Sequence, residues 1–168
     1  MKYGQWLLPL LVLVAVIQNN SKWGPDSRST LAKPKLSRMH MTNPDTAYSK
    51  IRSAAEQGDA AAQSDLSVML SKGYGAPRNY KLAFTWCKLS AVQGNARAQC
   101  NLGVKYYEGK GVEKDYVRAH MWLNIAARNG VEGALRLQQV VAKMMSHTQI
   151  EKAQDWAGEC IKKNYKGF

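Results

Sequence analysis

The stretch ARAQCNLGVKYYEGKGVEKDYVRAHMWLNIAARNG, residues 96–130, decides the fold, because the residues before it repeat its pattern 36 positions earlier. Twelve residues fall on identical residues when the chain is shifted by that period. The pairs are Ala60/Ala96, Ala62/Ala98, Gln63/Gln99, Leu66/Leu102, Val68/Val104, Gly73/Gly109, Gly75/Gly111, Tyr80/Tyr116, Ala83/Ala119, Trp86/Trp122, Ala91/Ala127 and Gly94/Gly130. Proteins with a fixed period in this range form solenoids, in which each unit buries its apolar face against its neighbours. The sequence therefore predicts a repeat array.

Small and apolar residues recur at helical spacing inside the unit. Ala98, Leu102 and Tyr106 define one face of a first helix. Ala119 and Trp122 define one face of a second helix, so each unit is expected to be a helical hairpin. We expect the equivalent tryptophans of the two units to lie in the core; an aromatic platform for sugars is the alternative.

Glycines mark the expected helix ends. Gly109 and Gly111 bracket the turn after the first helix. The glycines that follow the second helices are Gly58, Gly94 and Gly130. Glycine adopts the left-handed conformation that commonly ends a helix without steric cost. At Gly103, inside the first helix, we expect a neighbouring backbone to approach closely.

Further helices are expected to complete the array at both ends. A capping side chain and a proline suited to the first helical turn predict a helix start at Asn43-Pro44-Asp45. Ser146 and Gln149 form a capping-box pattern that begins a closing helix. We therefore predict one all-α domain over residues 44–163. Its parts are a half repeat at 44–58, repeats at 60–95 and 96–131, and capping helices at 131–163.

The residues before this domain include an apolar run from Trp6 to Ile17. A helix of that length rises about 18 Å, less than the roughly 30 Å hydrocarbon core of a bilayer. Residues 1–17 therefore predict a signal peptide, with an N-terminal membrane anchor as the alternative. The protein is expected to be exported, periplasmic or secreted, or else anchored in the inner membrane by residues 6–17.

Two further segments are expected to lack regular structure. Residues 18–43 are rich in Ser, Lys, Pro and Asn, show no periodicity, and predict a flexible basic linker. Residues 164–168 predict a frayed tail.

The chain of 168 residues has 24 Lys and Arg against 12 Asp and Glu, which gives a formal net charge of +12. The excess is spread along the chain, so it favours anionic partners weakly and without selecting among them. No nucleic-acid recognition motif accompanies the charge, and we expect no specific nucleic-acid binding. The basic linker is compatible with weak contact to an anionic membrane surface.

The three cysteines, Cys87, Cys100 and Cys160, show neither a C-x-x-C motif nor the spacing of Cys/His metal ligands. Cys87 lies on the second helix of one unit and Cys100 on the first helix of the next. A stacked array could bring them close enough for a disulfide, but small buried apolar residues are the other interpretation. The odd number leaves at least one thiol free in either case.

The sequence pattern does not bring catalytic or metal-binding groups together. The histidines are His40 in the linker, His120 on a repeat helix and His147 in the capping region. The nearest Ser-Lys pairs, Ser49-Lys50 and Ser71-Lys72, are adjacent, and adjacent side chains on a helix point in different directions. We therefore predict no catalytic residues, no metal site and no cofactor.

The second unit carries a recognisable set of residues. They are Leu102-Gly103, Tyr106-Tyr107, Gly109-Lys110-Gly111-Val112, Asp115-Tyr116, Ala119, Trp122, Ala126-Ala127 and Gly130. This set resembles the Sel-one-like repeat, a relative of the tetratricopeptide repeat. The first unit departs from it, because Ser67 replaces the glycine at Gly103 and Leu70 and Ser71 replace the tyrosines.

The resemblance implies an α/α right-handed superhelix of about two and a half repeats, which acts as a non-enzymatic adaptor for other proteins. Some exported bacterial members act at the envelope or at a host surface. Some exported relatives have also been linked to cell-wall or β-lactam substrates, so a hydrolase of this kind is the alternative function.

Stacked first helices are expected to offer a concave groove for another protein or peptide. The candidate lining is a polar stripe on the two first helices: Ala61, Asp65, Met69, Arg97, Asn101, Lys105 and Glu108. A solvated helix face would give the same pattern, and the sequence leaves both interpretations open.

Overall fold

The computed structural model describes residues 44–167, which form seven α-helices and no strand. The helices are α1 (Pro44–Glu56), α2 (Ala60–Lys72), α3 (Tyr80–Val92), α4 (Ala96–Glu108), α5 (Tyr116–Arg128), α6 (Ala134–Ala142) and α7 (His147–Lys162). From α1 to α5 each helix packs on the next, and α6 and α7 both pack on α5. The predicted all-α solenoid is confirmed. The predicted signal or anchor at 1–17 and the linker at 18–43 lie outside the described residues.

Short polar side chains start the repeat helices. The Asp59 carboxylate accepts hydrogen bonds from the amides of Ala61 and Ala62 in α2, and the Asp115 carboxylate accepts one from the amide of Arg118 in α5. At α7 the predicted capping box is confirmed: Gln149 N donates to Ser146 Oγ, and Ser146 N donates to Gln149 Oε1 at 2.9 Å. Each such bond satisfies an amide that has no partner inside the helix.

Glycines with positive φ end the helices as predicted. Gly73 and Gly109 cap α2 and α4 in the left-handed conformation, with φ of 76° and 73°. Gly111, in the loop after α4, has φ of 83° and lies directly against the start of α3. A Cβ atom there would overlap the carbonyl group of Tyr80 and lie 3.0 Å from the amide nitrogen of Lys81. The loop of the second unit therefore packs on the first unit through a position that only glycine can occupy.

The close approach expected at Gly103 is also confirmed. A Cβ atom there would lie 2.7 Å from Leu123 Cγ and 3.1 Å from the carbonyl oxygen of Ala119, so α4 and α5 meet at this point. In the first unit the equivalent Ser67 donates a hydrogen bond to the carbonyl oxygen of Ala83 at 2.7 Å. The serine thus replaces close packing with a buried hydrogen bond.

The two equivalent tryptophans are buried to different extents. Trp122 is 1% exposed, whereas Trp86 is only partly buried against the cluster around Leu66 and Ala83. The difference follows from the number of neighbours, because α3 packs on α2 and α4 while α5 packs on α4, α6 and α7. The expectation that both are core residues therefore holds fully for Trp122 and in part for Trp86.

Buried glutamines join the units. Gln99 Nε2 donates to the carbonyl oxygen of Ala91 in the preceding unit at 3.2 Å. Its Oε1 accepts a hydrogen bond from Asn129 at the end of its own unit at 2.7 Å. Gln63 and Gln93 form the same pair at 2.7 Å in the first unit. Both units are therefore linked by one recurring set of hydrogen bonds, which satisfies the buried amide of each glutamine.

The C-terminal end departs from the regular repeat. Among the capping helices predicted at 131–163, α6 covers only Ala134–Ala142, because Gly133 adopts a positive φ of 85° immediately before it. In the segment 164–168, for which a frayed tail is predicted, the Tyr165 amide donates to Cys160 O at 2.8 Å. The Tyr165 hydroxyl accepts a hydrogen bond from Asn129 at 3.3 Å, and its ring lies against Gly94.

Candidate functional site

The predicted partner-binding residues lie on α2 and α4. We call Asp65, Met69, Arg97, Asn101, Lys105 and Glu108 the first-helix surface. Stacking of the units brings Asp65 and Arg97 together, with 3.3 Å between Asp65 Oδ1 and Arg97 Nη1. Arg97 and Asn101 are partly exposed one turn apart on α4, and Glu108 forms an ion pair with Lys110 at 3.0 Å. These residues form a mixed-charge face with one amide available for hydrogen bonding.

Two members of the first-helix surface are buried. Met69 is 3% exposed, so its apolar side chain belongs to the core and does not line an open groove. Lys105 is 7% exposed, and its Nζ donates a hydrogen bond to Ser71 Oγ at 2.7 Å. The sequence spacing placed both residues on the polar stripe, but both side chains are buried in the folded chain.

Burial shifts the pKa of the charged groups at this seam. The pKa of Lys105 is lowered from its ordinary value, because a charged ammonium is poorly solvated there. The pKa of Asp65 is raised by burial, and the guanidinium of Arg97 opposes the shift.

The contact between Ser71 and Lys105 was not predicted from the sequence, in which the nearest Ser-Lys pairs are adjacent residues. The two residues lie on different units, and their separation in sequence is close to one repeat period. That near-period spacing was the signal that could have indicated the contact. A hydroxyl beside an amine with a lowered pKa is one arrangement that can activate a nucleophile, once the amine has lost its proton and accepts from the hydroxyl.

The three cysteines are free thiols. Cys87 is fully buried and its Sγ donates to the carbonyl oxygen of Ala98 at 3.3 Å. Burial raises the pKa of Cys87 to about 12 and the pKa of Cys100 and of Cys160 to about 11. Because the thiolate is the reactive form, all three thiols are poor nucleophiles at neutral pH.

The two described histidines lie in different environments. His120 is 2% exposed, and its Nε2 lies 3.2 Å from Gln138 Nε2. Burial lowers the pKa of His120, which favours the neutral ring. His147 is exposed and pairs with Glu151 at 3.4 Å, while His40 lies outside the described residues. Within residues 44–167 no three His, Cys, Asp or Glu side chains are placed to hold a metal ion.

A cavity of about 510 Å³ is lined by residues of α3, α4, α5 and α7, none of which belongs to the first-helix surface. We call its lining the basic aromatic pocket: Lys88, Tyr106, Arg118, Met121, Trp122, Trp156 and Gly167. The Arg118 guanidinium carbon lies 5.9 Å from the ring centroid of Tyr106 and 5.8 Å from that of Trp156. Lys152 Nζ lies 4.7 Å from the ring centroid of Trp156. The pocket combines an aromatic interior with a cationic rim and was not predicted from the sequence.

Comparison with known proteins now assigns the family. The Sel1 repeat family model matches residues 60–95 and 96–131. The crystal structure of a Sel1 repeat protein from Oxalobacter formigenes is similar with 39% sequence identity and a TM-score of 0.56, over 62% of this chain and 84% of that one. The chain belongs to the Sel1 repeat family.

A second solved structure shows the same repeat architecture over a longer stretch. It is a protective antigen of uropathogenic Escherichia coli strains with an SLR fold, similar with 28% sequence identity and a TM-score of 0.72. The match covers 77% of this chain, which spans only 29% of the length of that antigen. Comparison with the curated proteins found no match.

Sel1 repeats typically mediate contacts between proteins and generally serve as non-enzymatic scaffolds. In this Sel1 repeat chain, the first-helix surface and the basic aromatic pocket have no residue in common. Between residues 44 and 167, none of the helices combines the length and the hydropathy needed to span a bilayer.

Proposed function

We propose that this Sel1 repeat chain is a non-enzymatic adaptor that binds a segment of another protein on the first-helix surface. The observation that carries the proposal is the alignment of partly exposed polar groups along the seam between α2 and α4. Arg97 and Asn101 are accessible there, and the Asp65–Arg97 ion pair at 3.3 Å joins the two units beneath the same face. A partner segment laid along the seam would contact both repeats at once.

The composition of this face supports an extended, polar partner. The amide of Asn101 can donate to and accept from a peptide backbone, and Arg97 offers further donors beyond its contact with Asp65. Because Met69 and Lys105 are buried, we assign the contact to Asp65, Arg97, Asn101 and Glu108.

The experiment is site-specific photo-crosslinking in the source cells with a photoreactive residue at Asn101. A matched control carries the same residue at Arg136, which is exposed on α6. We expect one partner band at position 101 and none at 136, and we expect the double variant Arg97→Ala/Asn101→Ala to weaken that band. Equal crosslinking at both positions would show that the partner binds elsewhere.

A hydrolase acting on cell-wall or β-lactam material is the second candidate, and the contact of Ser71 with Lys105 favours it. The hydroxyl lies 2.7 Å from an amine whose pKa is lowered by burial. Hydrolysis of a chromogenic β-lactam that disappears in the Ser71→Ala variant would support this function. Turnover no greater than that of heat-inactivated protein would exclude it for that substrate.

We further propose that the chain acts at the bacterial cell envelope, after export directed by residues 1–17. The apolar run from Trp6 to Ile17 and the basic residues that follow it support this location. Mass spectrometry of the mature protein from its source would show whether the segment is removed or retained as an anchor. Flotation with anionic liposomes at increasing salt would test membrane contact by residues 18–43.

A further inference from the structure

We propose that the basic aromatic pocket binds an acidic peptide segment that inserts an aromatic side chain between α3, α5 and α7. The cavity of about 510 Å³ lies within the ~300–1,000 Å³ range of ligand pockets. Trp122 is 1% exposed and Met121 is equally buried, so they form a rigid apolar floor. Tyr106 and Trp156 provide aromatic walls against which an inserted ring can pack edge-on or offset.

The rim of the pocket is positively charged. Arg118 lies between the rings of Tyr106 and Trp156, and its Nη1 donates to Asp115 Oδ2 at 2.7 Å. Its other guanidinium N–H groups have no hydrogen-bond partner within residues 44–167. Lys88 likewise has neither a hydrogen bond nor an ion pair in the described part of the chain. Carboxylates on a bound segment would complete these interactions.

The charges around the pocket favour a short acidic segment over a nucleic acid. Lys152 adds a third cation beside Trp156, and the Asp115 carboxylate pairs with Arg118. On α7, however, Glu151, Asp155 and Glu159 are exposed and spaced by four residues, so they share one helix face. The charges of a phosphate backbone are fixed along its length, so some of them would lie against this acidic face. A peptide carries its carboxylates on side chains, which can turn toward the cations of the rim.

This site is independent of the proposed adaptor surface. The pocket shares no residue with the first-helix surface, since it is built from α3, α5, α7 and the inward side of α4. Failure of one site to bind would therefore not affect the conclusion on the other.

The test is fluorescence anisotropy of the full chain with a fluorescein-labelled peptide, Glu-Asp-Glu-Trp-Glu-Asp-Glu. The pocket variant is Lys88→Glu/Lys152→Glu. Its matched control, Lys81→Glu/Lys162→Glu, changes the net charge equally on the same two helices, at exposed positions outside the pocket. Thermal unfolding followed by circular dichroism checks that both variants fold, and Arg118→Gln replaces the pocket variant if it does not.

We expect the pocket variant to bind the peptide at least about tenfold more weakly than wild type, and the control less than about twofold, because charge pairs act at short range. The same peptide with alanine in place of tryptophan should also bind about tenfold more weakly. Equal weakening in both variants, equal binding of the alanine peptide, or no binding by wild type would overturn the proposal. Tighter binding of an oligothymidylate of equal charge, lost in the pocket variant, would overturn it in favour of nucleic acid.

Discussion

The contact between Gly111 and Tyr80 gives the sharpest prediction, because a second glycine with the same backbone conformation separates the cost of this contact from the cost of the backbone. Gly111 and Gly130 have nearly equal positive φ, 83° and 80°. A Cβ atom at Gly130 meets no atom within 4 Å, whereas one at Gly111 overlaps the carbonyl group of Tyr80. Both alanine variants share the cost of the left-handed backbone, about 1–2 kcal/mol. Only Gly111→Ala must also push the two units apart.

The extra cost at Gly111 is that of overpacking a close contact, about 1–3 kcal/mol. We therefore expect Gly111→Ala to lower the free energy of unfolding by about 2–5 kcal/mol and Gly130→Ala by about 1–2 kcal/mol. Urea unfolding followed by circular dichroism at the helix band measures both variants and wild type. If the two variants are equally destabilised, the loop of the second unit does not pack on α3 as described.

Three further predictions concern buried groups. Ser67→Ala should lower the free energy of unfolding by about 1 kcal/mol, because it removes the 2.7 Å hydrogen bond to Ala83, while Ser53→Ala at an exposed position should change it little in the same urea titration. Burial lowers the pKa of His120 below its ordinary 6.5, so the unfolded chain takes up a proton first as the pH falls. The free energy of unfolding should therefore decline below pH 6.5. The variant His120→Gln should reduce that decline in thermal unfolding from pH 7 to 5. A thiol-reactive dye at pH 8 should label the cysteines of the native protein slowly, and Cys100 should react first because it alone is partly exposed. In urea all three should react rapidly. Fast labelling of Cys87 in the native protein would contradict its burial.

The repeat period was sufficient to predict most of the architecture. Gly73 and Gly109 recur one period apart after a predicted helix, so both could be assigned to helix ends, and Gly103 could be assigned to a close contact because it lies inside a predicted helix. The capping box at Ser146 was equally clear, because its bonds are local in sequence. Local chemistry and periodicity together fix the helices and their order.

Contacts between units were harder to predict from the sequence. The period marked Gln63 and Gln99 as equivalent, but not that each bonds to the carbonyl of the preceding unit, because that depends on how the hairpins stack. Met69 and Lys105 were assigned to an open surface for the same reason: helical spacing gives a direction on one helix and not what covers it. The basic aromatic pocket involves four helices and the tail, and no linear pattern brings Lys88 near Trp156.

The burial of Lys105 has a consequence for how the hairpins align. Its ammonium finds its acceptor, Ser71 Oγ, only when α4 lies beside α2 at one relative height. A slide by one helical turn would separate the ammonium from this acceptor, and an unpaired buried ion costs several kcal/mol. An apolar residue at this position would tolerate such a slide. The buried lysine therefore favours a single alignment of neighbouring hairpins.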